Sequence, residues 1–131
     1  MTFEEKVIYV EQKLKVYIEN LGYQYNSRFI DHLIRTSKIL EEMEAPSYLV
    51  DAGLFHSVYG ETSSIQTPPN SLIERYEVEN VIGKQAEEIV YKFCTISAPR
   101  TQNIIAMEDS QLRTDLIMLC NANDTEMGNP Q

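Results

Sequence analysis

The chain has 131 residues, 43% of them hydrophobic and 24% charged, a length and composition suited to one domain with one core. Twenty acidic residues against eleven basic ones leave a formal net charge of −9. A field of that sign repels polyphosphate chains and anionic lipid, which argues against non-specific nucleic-acid or membrane binding but leaves room for a small anion in a local basic pocket. No apolar run approaches bilayer length, and Met1-Thr2-Phe3-Glu4-Glu5 lacks the basic start and apolar stretch of a signal peptide, so the expectation is a soluble, cytoplasmic protein. Cys94 and Cys120 sit among apolar neighbours without CxxC or Cys/His spacing and read as two buried thiols.

In chain order, Thr2 and Glu5 have capping-box spacing and start a first helix. Val7, Val10, Leu14, Tyr17, Ile18 and Leu21 form its inner face, and Gly22 offers the stop. Asn26 and Ser27 cap a second helix with Phe29, Leu33, Thr36, Leu40 and Met43 inward, closed by Ala45-Pro46. Ser47 caps a third, running to Tyr59 with almost no polar face, which places it in the centre of the domain. The stretch from Glu61 to Asn70, carrying Pro68-Pro69, rejects helix and central strand and reads as the one long loop. Ser71 and Glu74 form another capping-box pattern before a short turn over 77–82. An amphipathic helix follows over 84–96, ended by Ala98-Pro99, and a last helix starts near Asp109 with Leu112, Leu116, Leu119 and Cys120 on one side. The domain spans residues 1–123 and a polar tail residues 124–131. No segment alternates as a strand does, so the fold class is all-α, a bundle of about five to seven helices.

Polar residues on apolar faces carry the functional signal, because each needs a partner or a chemical role. The chain's two histidines, His32 and His56, both fall on inward faces, as does Asn123. Ala52 and Gly53, one turn before His56, let another helix or a ligand approach the backbone. Ser57, Tyr59 and Glu61 bring a hydroxyl, a phenol and a carboxylate to the point where helix becomes loop. Arg28, Lys84 and Arg100 are candidate anion contacts, since a guanidinium fork matches phosphate or carboxylate.

From Arg28 to about Asn123 these residues resemble the HD-domain superfamily of metal-dependent phosphohydrolases, particularly the hydrolase domain of bifunctional alarmone enzymes. His32 matches that family's first histidine, Ala52-Gly53-Leu54-Phe55-His56-Ser57 its histidine-aspartate box, Glu61-Thr62 the end of its acidic pair, Val81-Ile82-Gly83 its glycine turn, and Ala122-Asn123 its Ala-Asp. More narrowly, Ala-Gly-Leu-Phe-His-Ser-Val-Tyr-Gly is similar to the hallmark of a family of small HD-like proteins, in which Gly-Thr-Glu commonly follows where this chain has Gly60-Glu61-Thr62. The resemblance implies an HD-like bundle and a divalent metal (Mn, Fe or Mg) held by two histidines and two aspartates. Here Ser57 and Asn123 stand at both aspartate positions, so only His32 and His56 remain as metal candidates, with Glu61 and Asp115 as the stand-in carboxylates.

The expectation is a degenerate HD-like domain with an internal pocket for a small phosphorylated or nucleotide-like ligand, lacking the usual metal site. In an enzyme of hydrolase type, His32, His56 and Glu61 are the catalytic candidates, the imidazoles as acid or base and Glu61 orienting them. Arg28, Ser57, Tyr59, Arg100 and Asn123 are the ligand-binding candidates. The alternative is a non-catalytic ligand-sensing or protein-interaction domain; oligomeric state is left open.

Overall fold

The computed structural model describes residues 1–60 and 70–128. Among them are seven α-helices and no strand: α1 (Phe3–Asn20), α2 (Arg28–Glu42), α3 (Ser47–Phe55), α4 (Arg75–Ile82), α5 (Lys84–Thr95), α6 (Arg100–Ile105) and α7 (Gln111–Glu126). α2 packs on α3 and α7, and α3 also packs on α5, so α3 lies at the centre, where its lack of a polar face requires it to be.

The start of α1 has both halves of its capping box: the Thr2 hydroxyl accepts the Glu5 amide at 3.1 Å, and the Glu5 carboxylate accepts the Thr2 amide at 2.9 Å. Val10, Leu14, Tyr17 and Ile18 are buried along its inner face, as the spacing predicts. On α2 the buried face is Ile30, Leu33, Thr36, Ser37 and Leu40, whereas Phe29 and Met43, expected inside, are about two-fifths exposed. The face is rotated because the small Ser37 turns inward against α3, its hydroxyl donating to the Val50 carbonyl at 3.2 Å. Gly53 is the residue that permits this approach, since a Cβ there would lie 2.5 Å from Leu40 Cδ1 and 3.4 Å from the Ser37 Cα.

α3 ends at Phe55, not at Tyr59 as its composition suggests. The carbonyls released by this early stop are taken up one by one. Gly53 O accepts His56 Nδ1 at 2.7 Å, Phe55 O accepts the Val58 amide at 2.9 Å, and His56 O accepts the Cys94 thiol at 3.0 Å. Val58 O accepts the Asn70 side-chain amide at 2.8 Å, and Tyr59 O accepts the Asn70 backbone amide at 2.9 Å. Three of these donors come from distant parts of the sequence, which is why helix periodicity cannot locate the stop.

Two further starts differ from expectation. Pro46, not Ser47, occupies the cap position of α3, and Glu77 reaches back to the Glu74 amide at 2.9 Å, shifting the α4 capping pattern three residues beyond Ser71. Gly83 separates α4 from α5 at φ 89° and ψ 163°, a backbone conformation that side chains disfavour. The short α6 has no counterpart in the sequence pattern. α7 begins where its Ser110 hydroxyl accepts the Arg113 amide at 3.1 Å, and it continues through Asn123 to Glu126, into the stretch expected to be tail.

Candidate functional site

Three elements converge on one point: α2 supplies His32, the turn after α3 supplies His56, and α7 supplies Asn123 and Glu126. His32 Nε2 lies 3.1 Å from His56 Nε2 and 2.9 Å from Asn123 Oδ1. On its other side, His32 Nδ1 contacts Glu126 Oε1 at 2.5 Å, and Arg35 stands 3.7 Å from the second oxygen of that carboxylate. The two imidazole rings meet edge to face with centroids 5.0 Å apart, and Phe93 closes the far side of His56 in the same manner at 5.3 Å. Both histidines and Asn123, singled out in the sequence for their inward faces, are therefore brought together.

Their exposures differ, and that divides their roles. His56 is fully buried, and its Nδ1 hydrogen is committed to the Gly53 carbonyl, which can only accept. The His32 side chain is 24% exposed and opens onto a cleft of about 420 Å³ lined by Leu14, Asn26, Arg28, Phe29, His32 and Ser57. At its mouth Phe29 stacks on Tyr25 with centroids 5.7 Å apart, and the Tyr25 hydroxyl donates to Glu11 at 2.8 Å, so the exposed Phe29 ring is held from behind. Burial and the Glu11 carboxylate both push the Tyr25 phenol well above its usual range, which keeps it a neutral donor. Asn26 Oδ1 accepts the Arg28 amide at 2.9 Å, fixing the first turn of α2 at the rim.

Of the remaining candidates, Arg28 and Ser57 line the cleft, whereas Tyr59 and Arg100 do not. The Tyr59 hydroxyl donates to the buried Glu87 carboxylate at 2.7 Å, and Arg75 clasps both oxygens of that carboxylate at 2.9 Å while lying over the Tyr91 ring. Burial and the Glu87 hydrogen bond raise the Tyr59 phenol far above its usual range, so Tyr59 serves as a neutral clasp for Glu87. The Arg100 guanidinium is stacked on the Phe93 ring at 3.9 Å, one layer behind His56. Glu61 lies outside the described residues. Glu126 is the site residue that sequence reasoning missed. Its signal was the three-residue step from Asn123, which puts both side chains on one face once the helix continues.

Among the described residues, the donor set does not fit the divalent ion that the family resemblance implies. A hard dication needs anionic oxygen beside imidazole, yet the oxygen next to the two Nε2 atoms is a neutral carboxamide. The Glu126 carboxylate sits on the opposite ring nitrogen. Asp115, one of the two expected stand-ins, is engaged at both oxygens, by the Tyr48 hydroxyl at 3.0 Å and the Gln111 amide at 2.9 Å, and the other, Glu61, lies outside the described residues. Among the described residues no group of three or more His, Cys, Asp or Glu is placed to hold a metal.

Comparison with known proteins adds one assignment. A family model described as a domain of unknown function, DUF6817, matches residues 19–98, more than half of the chain. The chain belongs to this family. Neither a curated protein nor a solved structure matches it. The DUF6817 match takes in α2 to α5, and with them Arg28, His32, His56 and Ser57, while Asn123 and Glu126 come from α7 beyond it. No helix among the described residues is long and apolar enough to cross a membrane.

Proposed function

We propose that the chain binds a small phosphorylated or nucleotide-like molecule in the cleft at the start of α2, and that it does so as a degenerate HD-like domain without the metal of that superfamily. The observation that carries this reading is the composition of the cleft. A guanidinium (Arg28), an imidazole (His32) and a hydroxyl (Ser57) share about 420 Å³ with the braced aromatic face of Phe29. Such a set offers hydrogen bonds and positive charge to an oxyanion and a flat apolar surface to a ring. In a hydrolytic form of this function His32 is the acid or base in contact with the ligand, and His56, buried behind it, acts through His32 as a positioning residue. The net charge of −9 favours a small anion in a partly enclosed cleft over nucleic acid or a lipid surface as partner. A cytoplasmic location belongs to the same reading.

A thermal-shift series with inorganic pyrophosphate, GDP and ribose 5-phosphate tests it, each with and without Mn²⁺. A ligand present at about 100 times its Kd stabilises the folded state by about 2.7 kcal/mol, a clear rise in Tm. The expected result is a rise with at least one probe, independent of Mn²⁺ and lost in Arg28→Ala. No rise with any of the three defeats the reading. Phosphate release from the bound probe separates hydrolysis from the second reading, ligand sensing without catalysis, which the neutral Ser57 and Asn123 at both acidic positions favour.

A further inference from the structure

The aromatic ring at the mouth of the cleft is held more firmly than a surface side chain needs to be. Phe29 is 41% exposed, and Tyr25 covers one face of its ring, with centroids 5.7 Å apart and planes 24° from parallel. The Tyr25 hydroxyl donates at 2.8 Å to Glu11 on α1, so the supporting ring is tied at its far end to a second helix. Three residues on from Glu11, Leu14 is buried and lines the same cleft, so the brace and part of the cleft wall come from one face of α1. With its partner ring held in this way, Phe29 presents a face whose orientation is set before any ligand arrives, which lowers the ordering cost of binding. Beside it stands Arg28, which forms no salt bridge among the described residues, so no carboxylate there neutralises its charge. A cleft of about 420 Å³ is of the size that encloses a whole small organic molecule, and a bare phosphate or pyrophosphate would leave much of it to water.

We infer that Phe29 makes the cleft select ligands that join a planar ring to an oxyanion, and that Tyr25 and Glu11 are the positioning residues that hold Phe29 for this task. The inference rests on the ligand reading given under the proposed function and narrows it: the ring stacks on the open face of Phe29 while the anion meets Arg28, and an anion without a ring is a poor occupant.

Calorimetric titration of the full chain with two matched pairs of probes tests it. Pyrophosphate and GDP share a diphosphate and differ in the guanosine, whereas ribose 5-phosphate and phenyl phosphate share a single phosphate and differ in the aromatic ring. In the wild type the ring-bearing member is expected to bind about tenfold more tightly, the contribution of one base-to-aromatic stack. Phe29→Leu, which keeps apolar bulk at an exposed position, is expected to abolish that difference and leave pyrophosphate affinity unchanged. A difference in either pair that is lost in Phe29→Leu supports the inference, and the pair that shows it tells a nucleoside base from a ring bonded directly to phosphate. Tyr25→Phe and Glu11→Ala are expected to lower the affinity for the ring-bearing probe about threefold, the effect of one hydrogen bond, with pyrophosphate unchanged. Glu11→Gln, whose carboxamide oxygen still accepts the Tyr25 hydroxyl, is expected to keep the wild-type affinity. Equal affinities within both wild-type pairs, or a difference that survives in Phe29→Leu, overturn selection by Phe29 while the ligand reading stands. No change in Tyr25→Phe and Glu11→Ala, or equal losses for ring-bearing and ringless probes, overturns the positioning role of these two residues. Failure of all four probes to bind overturns the ligand reading and this inference with it.

Discussion

Two tyrosine hydroxyls in this protein should respond in opposite directions to the same loss of one oxygen atom. Tyr59 donates at 2.7 Å to Glu87, a carboxylate only 5% exposed, while the hydroxyl of Tyr9 is buried with no hydrogen-bond partner among the described residues. A hydrogen bond to a charged group contributes about 1.5–3 kcal/mol net. Because Arg75 still holds both Glu87 oxygens in Tyr59→Phe, the lower end applies, about 1.5 kcal/mol. Tyr9→Phe removes a desolvated group that gains nothing in return, and a buried unsatisfied hydroxyl costs about 1–3 kcal/mol, so this variant should be more stable by about 1 kcal/mol. Its ring, stacked on Phe55 with centroids 6.1 Å apart, is unchanged. For a domain of this size each kcal/mol moves Tm by roughly 4 °C, which places Tyr59→Phe about 6 °C below the wild type and Tyr9→Phe about 4 °C above it. Calorimetry or circular-dichroism melts of the three proteins decide the matter. A Tyr9→Phe variant less stable than the wild type, or a Tyr59→Phe variant unchanged, refutes the hydrogen-bond accounting. Because Tyr59 faces Glu87 and not the cleft, its variant should also keep whatever thermal shift the cleft ligand produces in the wild type.

Gly83→Ala places a Cβ in open space but at φ 89°, so its whole effect is backbone strain; urea denaturation should show a loss of about 1–3 kcal/mol with an unchanged m-value. Gly53→Ala meets Leu40 Cδ1 at 2.5 Å, and since Leu40 is fully buried the overpacking, about 1–3 kcal/mol, should exceed the helix-propensity gain of roughly 1 kcal/mol; adding Leu40→Val should restore part of the loss in the same denaturation assay. The Glu5 and Glu77 carboxyls are held below their usual range of 4.5, chiefly by accepting the backbone amides of Thr2 and Glu74. A folded-state value below the unfolded one gives stability that is full above about pH 4.5 and is lost as pH falls through the folded-state values, so the double variant Glu5→Gln/Glu77→Gln should show a shallower acid limb in a plot of Tm against pH.

The parts of the fold legible in the sequence were those that local chemistry decides. The cap of α1 needs only Thr2 and Glu5, three residues apart, and the tight α2–α3 approach is announced by Gly53, whose absent side chain has no other use in a helix interior. What escaped depends on partners distant in sequence. α3 stops four residues early because Cys94 and Asn70 provide donors for the carbonyls of His56, Val58 and Tyr59, and neither residue is visible to a helical period. The histidines were legible as inward-facing polar residues, yet the ring that reaches the cleft and the ring that does not differ only in burial, which spacing does not report. Glu126 was hidden because a polar run after Asn123 reads as tail, whereas one more turn of α7 places its carboxylate on His32.

An acidic protein is compatible with the proposed binding of an anion in the cleft. At physiological ionic strength the Debye length is about 8 Å, so most of the exposed carboxylates behind the net charge of −9 are screened from a ligand inside the cleft. What a ligand there would meet is the local set, Arg28 with His32 and, behind them, Arg35 close to Glu126. Glu126, in contact with His32 and 3.7 Å from Arg35, is the anion that offsets this set among the described residues. Glu126→Gln removes that anion, so affinity for pyrophosphate or GDP should rise in a calorimetric titration, a tenfold gain corresponding to about 1.4 kcal/mol. A loss of affinity would mean that Glu126 serves the cleft by holding the His32 ring in place and not through its charge.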